Sequence, residues 1–105
     1  MIKAKFIYSK TDFKEFTVTG HSNSAKHGKD LICAAVSAIV TCGLEALKDG
    51  DENYEVKVDE GNVSLKAKIK QSDHDKVVIE TIETQIKAVA TSNPKFVTLE
   101  RKIEE

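Results

Sequence analysis

The sequence predicts an α+β fold: a sheet containing antiparallel hairpins, two helices packed on it, and the element order β-β-α-β-β-α-β. Three observations predict it. Apolar and polar residues alternate in five short stretches, the period of a half-buried strand. Two longer stretches repeat apolar residues at helical spacing instead. The first four strands fall into two pairs joined by turn sequences, so hairpins rather than parallel crossover units separate the helices. The 105 residues leave room for one such domain, spanning 1–105, and not for two with separate cores.

Each element has its own signal. Ile2, Ala4, Phe6 and Tyr8 alternate with polar residues; Ser9-Lys10-Thr11-Asp12 then supplies a turn, and Phe13 to Thr19 resumes the alternation through Phe16 and Val18. Gly20 to Lys29 breaks all periodicity, a loop of about ten residues and longer than an ordinary connection. Asp30 opens the central helix. Leu31, Ile32, Ala35, Val36, Ile39, Val40, Leu44 and Leu47 give it a wide apolar stripe that ends before Asp49-Gly50-Asp51. Tyr54 to Asp59 and Val63 to Lys70 alternate on either side of Glu60-Gly61-Asn62, a second hairpin. Ser72, followed three residues later by Asp75, has a capping-box pattern and starts the second helix. Val78, Ile82, Ile86 and Val89 share one face of that helix, which stops before Asn93-Pro94. Val97, Leu99 and Ile103 suggest a last strand, placed at an edge by its charges.

Composition narrows the function. Hydrophobic residues are 40% and charged residues 31%, a globular balance rather than a disordered one. Sixteen Lys+Arg against seventeen Asp+Glu leave a net charge of −1, which argues against direct binding to nucleic acid or to an anionic membrane. Charges interrupt the first six residues, so no signal-peptide core fits there. The apolar run Leu31 to Leu44 has 14 residues, too few to span a bilayer. The expected location is the cytoplasm, and a reducing compartment suits the two cysteines. Cys33 and Cys42 lie nine residues apart in what reads as one helix. That separation puts them roughly 13–14 Å apart on opposite sides, too far for a disulfide. No Cys-x-x-Cys or Cys/His zinc spacing occurs, so neither a metal nor a cofactor is expected.

The informative segment runs from Gly20 through His21 to Asp30 and Cys33. With Asp30 at the N-cap, Cys33 falls in the first helical turn, near backbone N–H groups and the positive end of the helix dipole. Helix N-termini favour the thiolate, the reactive form of cysteine, and the same N–H groups suit a developing oxyanion. His21, at the end of a strand, is the candidate base for a Cys/His dyad. The same position of Cys33 also suits a small core hydrophobe, and position alone does not separate the two. His27 is a second candidate base, less free to swing over the helix start. Cys42 reads as core or dimer interface. Asp73-His74-Asp75 reads as a helix start rather than a metal site.

Gly20-His21, then Gly28, Asp30, Cys33-Ala34-Ala35 and Ser37, at these spacings, resemble the ribosomal-processing cysteine protease family. The resemblance implies that Cys33 is the nucleophile and His21 the general base, and that Asp30 caps the helix or orients the histidine. It further implies that Gly20 and Gly28 flank a mobile loop and that Ser37 packs or bonds locally one turn below the cysteine. The residue after the histidine is Ser22 where the family commonly has alanine, a small-for-small change. The implied substrate is a ribosomal protein precursor of the large subunit (the L twenty-seven type), cut at an N-terminal extension by a homodimer. On that reading, first-turn N–H groups hold the oxyanion and residues Ser22 to Lys29 close over the peptide. Two rivals come from other classes: a noncatalytic ribosome-associated binding module, and a redox sensor using Cys33 alone, which lacks a resolving thiol within reach.

Overall fold

The computed structural model describes residues 1–10, 12–21 and 30–104; the loop expected at Ser22–Lys29, with His27 and Gly28, lies outside the described residues. Strands β1 (Ile2–Ser9) and β2 (Asp12–Thr19) form the first hairpin, β3 (Tyr54–Asp59) and β4 (Asn62–Ala67) the second. β2 also pairs antiparallel with β4. Helix α1 (Leu31–Ser37) follows β2, α2 (Asp73–Ser92) follows β4, and β5 (Val97–Glu104) closes the chain. The strand order across the sheet is β3-β4-β2-β1-β5. Both hairpins are antiparallel, as expected. β5 occupies an outer edge and runs parallel to β1, because α2 carries the chain back across the sheet so that β5 takes the direction of β4.

One face of the sheet holds the core. Phe6, Phe16 and Leu65 stand in register on neighbouring strands and are fully buried, the two phenyl rings 5.0 Å apart. Val36 and Val40 pack onto this face from one helix, and Ile79, Ile82 and Ile86 from the other. Burying each such side chain is worth roughly 1.5–3 kcal/mol. The alternation in β1 and β2 thus sets which of their side chains the helices cover.

Three details depart from the sequence-based expectation. The central helix is not uniform: after Ser37 it passes into a π-helical segment, Ala38–Cys42, and ends in turns by Ala46. Thr41 Oγ1 donates to the Ser37 carbonyl at 2.5 Å, a side-chain claim on a backbone acceptor that loosens a helical turn. Cys42 is exposed and does not belong to the core. Leu31, counted in the apolar stripe, is 81% exposed because it stands at the very start of the helix. Finally, β4 ends at Ala67 rather than Lys70, since its partner β3 begins only at Tyr54, the residue paired with Ala67. Among the described residues no helix is long and apolar enough to cross a membrane.

Candidate active site

The β2–β4 pairing builds one side of the site. The register Thr19↔Asn62 brings Gly20 opposite Gly61, and the Gly20 N–H donates to the Gly61 carbonyl at 2.9 Å. Gly20 has φ +94°, and a Cβ there would stand 2.2 Å from the Met1 carbonyl oxygen, so only glycine fits at this expected turn position. The next residue, His21, is exposed, with its imidazole lying against Gly61. A Cβ on Gly61 (φ +72°) would approach His21 Nε2 to 2.8 Å. The histidine ring thus rests on backbone that a side chain would obstruct.

The start of α1 builds the other side. Asp30 is the N-cap, as expected: its Oδ1 accepts from the Ile32 N–H at 3.1 Å and the Cys33 N–H at 3.0 Å. Its carbonyl accepts from the Ala34 N–H at 3.0 Å. The cap thus engages the N–H groups of Ile32 and Cys33, the bonds expected of Asp30 at this position. Cys33 is half-buried and packs against the hydrophobic core.

Between these sides lies a cavity of about 550 Å³. Asp30, Cys33, Ala34, Ser37 and Thr41 line it from the helix, and Gly20 and His21 from the end of β2. Ile2, Val18, Val36 and Val40 make it apolar within, and residues Val58 to Val63 of the second hairpin form the facing wall. The structure therefore brings together His21, Asp30, Cys33, Ser37 and Gly20. Gly28 lies outside the described residues, and Cys42 is not part of the lining. The second hairpin, read in sequence only as a pair of alternating strands, is the component that sequence reasoning missed. The turn glycine Gly61 was its one visible signal, and nothing local ties that turn to a histidine forty residues earlier.

The acidic start of α2 serves a different purpose. Ser72 Oγ accepts from the Asp75 N–H at 3.2 Å, one half of a capping box. The other half is replaced: the Ser72 N–H donates to Asp49 Oδ2 at 2.9 Å, while Asp75 turns inward. Its carboxylate, fully buried, accepts from the Lys48 and Asp49 N–H groups and from the Tyr54 hydroxyl at 2.7 Å. Burial, then the hydrogen bond to Asp75, push the Tyr54 phenol well above its ordinary range. His74 Nε2 lies 3.0 Å from the Ala46 carbonyl oxygen. Among the described residues no group of three His, Cys, Asp or Glu side chains is arranged to hold a metal ion.

Comparison with known proteins bears on both fold and family. A model of the family described as cysteine protease Prp matches residues 1–98. The ribosomal processing cysteine protease Prp of Bacillus subtilis (strain 168) is 50% identical over 32 residues, which span 30% of this chain and 29% of that protein. The fold is similar to that of the ribosomal processing protease Prp from S. aureus, solved with a covalently linked product peptide. The TM-score is 0.89 at 17% identity, covering 97% of this chain and 100% of that one. The protein SMU.848 from Streptococcus mutans is similar at TM-score 0.82 and 27% identity, with 99% of each chain covered. The family model spans nearly the whole sequence, including every described residue that lines the cavity, and the chain belongs to the cysteine protease Prp family.

Proposed function

We propose that the chain is an endopeptidase that removes the N-terminal extension of a large-subunit ribosomal protein (the L twenty-seven type) during ribosome maturation. The observation that carries this reading is that His21 and Cys33 line one cavity, in a chain of a cysteine protease family. His21 takes the proton from Cys33 Sγ, and the thiolate attacks the scissile carbonyl to form a tetrahedral oxyanion. His21 then returns the proton to the leaving amine, and water releases the extension from the sulfur. Asp30 holds the first turn of α1 in place. First-turn N–H groups of α1 stabilise the oxyanion. Ser37 stands one turn along the same wall and supports the helix face that the peptide meets.

The reading takes the enzyme to be one cytoplasmic domain that works as a homodimer, without a cofactor and without touching nucleic acid itself. A redox role for Cys33 gains no support from the fold, since Cys42 stands away from the cavity. The test is incubation of the purified protein with the precursor. The wild type shortens it, and Cys33→Ala does not. Full cleavage by Cys33→Ala overturns the assignment of the nucleophile.

A further inference from the structure

The inner face of the sheet extends past the helices that cover it. The buried row Phe6, Phe16, Leu65 continues in register to Val56 on β3, which is 48% exposed. The row Ala4, Val18, Val63 ends likewise at Val58, 55% exposed. β3 is an outer strand, so its far side presents backbone N–H and C=O groups to whatever lies alongside. From Asp51 to Glu60 the chain carries five carboxylates against the single Lys57, all on exposed residues. Edge strands are commonly blunted with lysine. This one is acidic, with two uncovered valines, and it is continuous with the cavity: Val58 and Asp59 belong to both.

We propose that the β3 edge is a docking strip for the basic stretch of the precursor that continues past the scissile bond, laid alongside β3 in extended form. The inference rests on the proteolytic reading above. Proteins that sit on RNA do so with Lys and Arg, so a ribosomal precursor complements an acidic strand in charge. In a strand laid alongside, apolar parts of side chains on the inner face cover Val56 and Val58, and basic side chains on the other face meet Glu55 and Asp59. The strip acts on encounter and KM; the chemistry at Cys33 is unaffected by it.

The test compares two substrates: the full precursor, and a short peptide that spans only the cleavage site. The measured quantity is the ratio of their kcat/KM values at low salt. In the doubly reversed variant Glu52→Lys/Glu55→Lys, that ratio falls about tenfold, as loss of electrostatic steering requires. In the wild type it falls toward the variant's value as salt is raised. Glu100→Lys, on the opposite edge strand, leaves the ratio at the wild-type value. An unchanged ratio in the double variant overturns the docking strip, and so does an equal fall in Glu100→Lys. Sedimentation of the double variant is the third readout: a lowered mass makes the strip a contact between copies of this chain and overturns the proposal. Failure of the wild type to cut the short peptide would instead remove the proteolytic reading itself.

Discussion

The two helices begin in opposite ways. At the start of α2 one carboxylate turns inward: Asp75 has no exposure and accepts from the Tyr54 hydroxyl, while Ser72 and Asp49 bond each other nearer the surface. At the start of α1 a single half-buried carboxylate, Asp30, holds two N–H groups, and beyond it lies a cavity with Cys33 and His21 on its walls. Acidic residues and a helix start look alike in sequence at both places. What separates them is closure. The Asp75 carboxylate at the α2 start is enclosed by the turn that precedes β3; among the described residues, the α1 start borders a cavity.

Substitutions can break this contrast from either side. The largest effect on stability is expected at the closed end. Asp75→Ala leaves two backbone N–H groups and the Tyr54 hydroxyl without their acceptor, at a cost of about 3 kcal/mol in urea unfolding. Cleavage per folded molecule should be retained, because none of these groups faces the cavity. Tyr54→Phe removes one hydrogen bond to a carboxylate and should cost about 2 kcal/mol.

The same tyrosine sets an alkaline limit. Its phenol is raised above the ordinary 10.0 by burial and then by Asp75, so its contribution is present in full below pH 10 and is lost as the pH climbs beyond. Tyr8, raised by burial and then by its hydrogen bond to Glu83, adds in the same direction. The urea midpoint should therefore fall above pH 10, and Tyr54→Phe should weaken that fall without abolishing it. On the acid side Asp49 is held below its ordinary 3.8, chiefly by the Ser72 hydroxyl, and its contribution disappears as the pH drops through and below that value.

At the open end the expected effects are on rate. Gly61→Ala pushes a methyl group into the His21 ring and, with His21 as the proposed base, should lower kcat about tenfold. Gly50→Ala is the matched control. It imposes a similar left-handed strain, with φ +91°, but meets only the flexible Glu52 carboxylate. Equal kcat loss in both variants would reduce Gly61 to a turn residue. Asp30→Ala, the smallest stability effect, should cost about 1 kcal/mol for the lost cap.

Much of this contrast was legible in the residues, and the limits have physical causes. Strands β1 and β2 are clear because one face is buried and the other wet, which imposes strict alternation on Ile2 through Tyr8. The Asp30 cap is equally local, a side chain bonding donors two and three residues ahead. The π-helical segment was not legible, since Ala38–Cys42 has the composition of an ordinary helix and only the Thr41 hydroxyl hints otherwise. Nor was the hairpin wall of the cavity. Val58 to Val63 meets His21 through the pairing of β4 with β2, a long-range choice that no local pattern encodes. For the same reason Asp75 reads as a capping residue until Tyr54 and Lys48 are seen around it.

The reacting sulfur can be identified directly by acid-quenching the enzyme during cleavage of a precursor-derived peptide and mapping the trapped acyl group by mass spectrometry. The account predicts an acyl adduct on Cys33 that forms slowly or not at all in His21→Ala. An adduct mapping to Cys42 would contradict it, as would peptide turnover at the wild-type rate with Cys33 replaced by alanine.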